Sequence, residues 1–254
     1  MMVRVASLLV IFFVGIVEAS AQRLVASSSD PHISITSTFS GEEITFFGNI
    51  EKAFDQSPSA ITNNYHIVIA VRGPSSTRVA RRKTNQFGVW LNGEEVAFKS
   101  FPSFFHIISN LPLEQVADQQ ALAVNGLAFD SAPFLQPVGN IAKAGEFSQE
   151  LIRLMKEQDL YKKIEHGVTF HSDTFYSARI QLPAHVPNGN YIAITHLFQD
   201  GQLMAKKAQR FSVRTVGFER FLSSSAKDYS FLYGLVCVLL AIFTGWLSGV
   251  AFRR

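Results

Sequence analysis

Residues 187–213, PNGNYIAITHLFQDGQLMAKKAQRFSV, decide how the fold is read. Pro187-Asn188-Gly189-Asn190 turns the chain into an apolar run at 191–198, and Asp200-Gly201 turns it again into 203–213. Two turn signals flanking a strand of this length make a meander typical of immunoglobulin-like sandwiches. A tyrosine directly after the first turn, Tyr191, fits that pattern.

The chain before the meander carries the same signals. Residues 32–50, HISITSTFSGEEITFFGNI, hold two alternating runs separated by Ser40-Gly41-Glu42, with Ile33 and Ile35 on one face and Ile44 and Phe46 on another. Residues 65–71, YHIVIAV, form a nearly continuous apolar run suited to a strand buried on both faces. Arg72-Gly73-Pro74-Ser75 is expected to close it. A charged strand follows at 77–84, then a hairpin over 87–99 that turns at Asn92-Gly93, a pair suited to type I′ geometry, with Trp90 in the core. Strands are also predicted at 103–109 and 168–175, and Ala178, Ile180 and Leu182 share a face.

Two helices interrupt this β pattern. One is predicted at 113–123, with Asn110 as cap, and the other at 147–164, where Phe147, Leu151, Leu154, Met155 and Tyr161 recur at helical spacing. Residues 125–144 read as loop. The fold class is therefore mainly β: an immunoglobulin-like sandwich with one or two helical insertions, over residues 22–215.

Residues 231–250, FLYGLVCVLLAIFTGWLSGV, contain no charge, and a helix of that length spans roughly 30 Å, the thickness of a bilayer's hydrocarbon core. At the other end Arg4, the apolar run 5–17 and Ala19-Ser20-Ala21 read as a signal peptide, 1–21, cleaved after Ala21, the alternative being an uncleaved anchor. With Arg253 and Arg254 in the tail 251–254, the positive-inside tendency places the C-terminus in the cytoplasm and the sandwich outside it. Residues 216–230 join the two as a linker or an interfacial turn of helix.

The formal net charge is only +3 and the cations are dispersed, which argues against nucleic-acid binding. The single cysteine, Cys237, lies in the span, so disulfides, CxxC chemistry and thiolate metal sites are excluded from the sandwich. The seven histidines are scattered without HxxxH or HExxH spacing. No GxSxG, P-loop or dinucleotide-binding glycine pattern occurs, and neither Glu42-Glu43 nor Glu94-Glu95 is a ready acid–base dyad, because adjacent strand residues face opposite ways.

The stretch 81–113, RRKTNQFGVWLNGEEVAFKSFPSFFHIISNLPL, resembles a family of transmembrane proteins of alphaproteobacteria that share a basic RRK, a G-x-W-x-N segment and a Pro-Ser-Phe strand. The opening ISITSTFSGEEITFFGNI, the Arg72-Gly73-Pro74 turn and the ending LYGLVCVLLAIFTGWLSGVAFRR resemble the same family. The resemblance implies a bacterial envelope protein with a signal peptide and one C-terminal span, and with the topology above the sandwich is expected in the periplasm at the outer face of the inner membrane. It carries over no catalytic residue and no cofactor.

The expected function is non-enzymatic: an interaction or accessory module of an envelope or transport complex. Its candidate contacts are electrostatic at Arg78, Arg81, Arg82 and Lys83, and within the membrane at Cys237, Ala241, Gly245 and Gly249, which recur every four residues and would let a second membrane protein or a second copy approach. The alternative is a tethered ligand- or metal-binding module using the histidines and the basic strand.

Overall fold

The computed structural model describes residues 23–251 apart from 37, 52–63, 130–135 and 140. The signal peptide and residues 252–254 lie outside the described residues. The strands are β1 (Arg23–Ser28), β2 (His32–Ile35), β3 (Gly41–Glu51), β4 (Tyr65–Arg72), β5 (Ser75–Gln86), β6 (Val89–Pro102), β7 (Phe105–Ser109), β8 (Gln136–Gly139), β9 (Tyr161–Ile164), β10 (Val168–Phe170), β11 (Phe175–Pro183), β12 (Gly189–Gln199) and β13 (Gln202–Thr215). The helices are α1 (Leu113–Val116), α2 (Gln119–Val124), α3 (Ala144–Glu157), α4 (Phe218–Asp228) and α5 (Ser230–Ala251).

The domain is mainly β and builds a sandwich. One sheet has the order β1-β3-β11-β10 and the other β2-β13-β12-β4-β7-β9. The first segment divides between them, β1 pairing with β3 and β2 lying parallel to β13. Alternation explains the inner faces: Ile44, Phe46, Ala178, Ile180 and Leu182 are buried from one sheet, and Ala193, Phe211 and Val213 from the other. Phe46 meets Phe211 at 5.9 Å between ring centroids, and Phe211 stacks on Tyr191 at 5.1 Å, which ties the layers together.

Both faces of β4 are covered. Ile67 to Val71 are each 0% exposed, as the continuous apolar run requires. The outer face is roofed by the chain around α1 and α2, whose Leu113, Val116, Leu122 and Leu127 are buried. Asp200 and Gly201 form the β12–β13 turn with φ of 50° and 80°, where sequence placed it.

Four expectations require correction. The helix read over 147–164 is α3, which begins at Ala144 and ends at Glu157; Asp159 takes a φ of 53°, and Tyr161 belongs to β9, parallel to β7. The helix read over 113–123 is broken at Ala117, which is extended, and α2 is capped by Asp118, whose Oδ1 accepts the Ala121 N–H at 2.6 Å. Asn110 instead accepts the Ile67 N–H. Residues 136–139 of the expected loop form β8.

The fourth correction positions the site. Arg72-Gly73-Pro74-Ser75 does not close a strand: the Gly73 N–H donates to the Phe104 carbonyl and the Ser103 N–H to the Pro74 carbonyl. These bonds join the β4–β7 ladder, ending at Arg72 opposite Phe105, to the β5–β6 ladder, beginning at Ser75 opposite Pro102. One two-stranded ribbon therefore runs out of the sandwich. It turns at Phe87-Gly88 (φ 53° and 84°), with Gln86 opposite Val89, and not at Asn92-Gly93, which sits beside a bulge in β6.

Candidate functional site

β5 contributes twelve residues to the ribbon, about 40 Å at strand rise. Its lower half is supported. β8 pairs with Val96 to Lys99, α3 lies along β5, and Val96 and Phe98 are 1% exposed. Two register shifts, between Ser76 and Arg78 and between Arg81 and Lys83, give β6 an extra residue each time and add twist. Ser100, at the first of them, takes a φ of 55°.

The upper half is bare. Phe87 is fully exposed, Trp90 66%, Val89 58% and Leu91 47%. Trp90 is thus a correction to the sequence reading, which placed it in the core. An indole exposed this far, among three other apolar side chains, is a concentrated apolar tip. Phe87 adds a backbone cost, since a bulky residue seldom occupies positive φ and Asn or Asp is favoured at that turn position.

The four cations named from sequence all lie on β5 below this tip. Arg81 Nε donates to Glu95 Oε2 at 2.8 Å, and Arg82 pairs with Glu146 of α3 while its guanidinium lies 5.4 Å from the Phe147 ring centre. Lys143 reaches Glu94 across the same junction, and its hydrogen bond holds the Glu94 carboxyl below its ordinary pKa. These pairs are solvent-exposed, so they orient the ribbon against α3 more than they stabilise it. Arg78 stands opposite Phe98 and Lys83 opposite Asn92. Sequence reasoning found the basic run and missed the apolar tip above it; the signal was FGVWL without an acidic residue from 75 to 93.

His66 and His171 line one hollow with Asn110 and Asp173, but the other histidines are dispersed. By register His66 and His196 share one face of the sheet while His106 is on the other. Burial lowers the pKa of both His106 and His196 to about 4, so each is held neutral. His106 Nε2 lies 2.9 Å from the Asp159 carbonyl, His171 Nε2 2.6 Å from Ser177 Oγ, and His185 Nε2 2.7 Å from the Gln158 carbonyl. Among the described residues no three of His, Cys, Asp and Glu come together as a metal site. A hollow of about 430 Å³ on the outer face, between Arg72, Asn125, His196 and Lys206, is partly satisfied from within, because Arg72 donates to the Gly126 carbonyl at 2.5 Å.

The span is α5, charge-free from Ser230 to Ala251 and long enough to cross a bilayer. Cys237, Ala241, Gly245 and Gly249 follow one flank of it, and a Cβ added to Gly245 or Gly249 would meet nothing within 4 Å. The segment before it, 216–229, contains the helix α4.

A family model described as "Putative transmembrane protein (Alph_Pro_TM)" matches residues 23–254. No curated protein matches the chain significantly. Among solved structures, the N-terminal domain of the Streptococcus gordonii adhesin Sgo0707 aligns at 8% identity over 76% of this chain and 32% of its own, with a TM-score of 0.27. The outer membrane decaheme cytochrome OmcA aligns at 12% identity over 74% of this chain and 22% of its own, with a TM-score of 0.25. The chain thus spans under a third of either protein, and similarity this low bears on neither fold nor function.

Proposed function

The chain belongs to this transmembrane protein family, and from that premise we propose that it is a membrane-tethered, non-enzymatic interaction module. The sandwich stands in the periplasm at the outer face of a bacterial inner membrane, and the C-terminus is cytoplasmic. The signal peptide and terminal arginines read from sequence support that orientation. We read the sandwich as immunoglobulin-like. The order β1-β3-β11-β10 against β13-β12-β4 supports this, as does Tyr191, whose hydroxyl donates to the Pro187 carbonyl at 2.6 Å at the start of β12.

The observation that carries the functional reading is the ribbon. A sandwich needs no paired extension of about 40 Å to close its core, and this one ends in apolar side chains that no other described residues cover. Such an element is a contact arm. The small-residue flank of α5 is the second contact, toward another membrane helix or a second copy.

A photo-crosslinking side chain placed at Phe87 in the full-length protein, illuminated in native membranes, tests the reading. Adducts at that position, and none at the solvent-facing Glu150 of α3, are expected. A tip that reacts with water alone removes the contact arm.

A further inference from the structure

We propose that the ribbon tip engages the surface of the same bilayer that holds α5, giving the protein a second, interfacial attachment. The proposal rests on the contact-arm reading and names what the arm contacts.

Direction is the first argument. Gly189 opens β12 opposite Val213 of β13, two residues before that strand ends at Thr215 and the chain leaves for the membrane. The same Gly189 packs against Pro74 at the base of the ribbon. Ribbon and anchor therefore leave one end of the sandwich. Because the β4–β7 ladder continues into β5–β6, the ribbon extends beyond that end and does not fold back over the sheets.

Length is the second. Between Thr215 and Ser230 the chain has α4, eleven residues, and three residues beside it. Upright, the helix contributes roughly 16 Å and the other three roughly 10 Å, so the bilayer begins within about 27 Å of the sandwich. β5 spans about 40 Å. A ribbon longer than the tether is long enough for its tip to reach the membrane.

Chemistry is the third. The tip presents an indole, a phenyl and two aliphatic side chains, the amphipathic and apolar groups that settle at a headgroup boundary. Arg81 and Arg82 are paired with Glu95 and Glu146, and with Arg78 and Lys83 the strand keeps an excess of cations, a bias that favours an anionic lipid surface. A soluble protein partner would not require a ribbon at least as long as the tether.

The sequence supplies its own probe, since Trp90 and Trp246 are its two tryptophans. The full-length Trp246→Phe protein, in vesicles of phosphatidylglycerol and phosphatidylethanolamine, reports from Trp90 alone. Expected are a blue-shifted emission, roughly two-fold quenching by lipids brominated on their acyl chains, and protection from aqueous iodide, all reversed by adding Phe87→Ser and Leu91→Ser. Emission typical of water, quenched by iodide and untouched by brominated lipid, overturns the proposal. The crosslinker at Phe87 separates it from its premise. A lipid adduct supports both, a protein adduct overturns the lipid contact while keeping the contact arm, and neither adduct overturns both.

Discussion

Pro74 occupies the place that a side chain on Gly189 would need: an added Cβ would fall 2.6 Å from Pro74 Cγ. The contact locks the ribbon base to the strand pair that leads into the membrane. Gly189 also has a φ of 153°, outside the range other residues adopt comfortably. Gly189→Ala is therefore expected to destabilise the domain by about 1–3 kcal/mol. Thermal unfolding of the full-length protein in detergent measures it, and an unchanged midpoint would show that the base does not depend on this contact.

Tyr191 illustrates the neighbouring corner. Its ring is 1% exposed and packs between Phe104 and Phe211, while its hydroxyl satisfies the Pro187 carbonyl. Tyr191→Phe keeps the packing and loses one hydrogen bond, so a loss of about 1 kcal/mol is expected. Tyr191→Ala removes the ring as well and should cost about 3–5 kcal/mol. Equal losses for the two variants would mean that the hydroxyl, and not the ring, holds the corner.

His106 and His196 set a pH limit. In the fold burial holds both near pKa 4, against 6.5 for the ordinary imidazole. Between those values the unfolded chain binds more protons than the native one, so stability falls as pH falls through the window and is retained above it. Each histidine contributes about 3 kcal/mol of that loss when the window is fully crossed. Urea midpoints measured at pH 7 and pH 4.5 should show the fall, and His196→Gln should shrink it. A midpoint independent of pH across this range would contradict neutral burial.

What sequence made legible was local. Alternation in β3, β11 and β12, the apolar run of β4, the Asp200-Gly201 turn and the stripe on α3 each follow from neighbours a few residues apart. What it hid depends on distant pairing. Asn92-Gly93 is the better hairpin turn by local chemistry, yet the β4–β7 ladder fixes the ribbon's register and brings the turn to Phe87-Gly88. Tyr161 continues the helical spacing of α3, and only pairing with Phe105 of β7 makes it strand. An aromatic residue such as Trp90 is expected in the core, and no local pattern reports that its strand leaves the core behind.

The flank of α5 yields a prediction that uses the single cysteine. If Cys237, Ala241, Gly245 and Gly249 face a second copy, mild oxidation in membranes should join two chains through Cys237. Gly245→Leu with Gly249→Leu should abolish the dimer without changing the amount of protein in the membrane. A Cys237 dimer that survives both substitutions places the contact elsewhere on the helix.

Trp90 offers the sharpest contrast between the two places an aromatic side chain can sit. A buried tryptophan cut to alanine costs about 3–5 kcal/mol, because its packing is lost and a cavity remains. At 66% exposure, on a strand half that is bare among the described residues, Trp90→Ala should change stability by no more than about 0.5 kcal/mol. Phe98→Ala, on the same strand but 1% exposed, should show the full core penalty. The two residues lie on one strand of the ribbon, one in each half, so comparing their unfolding midpoints tests where the supported half ends. A large loss at Trp90 would mean that the tip is packed in the native protein and is not a contact surface.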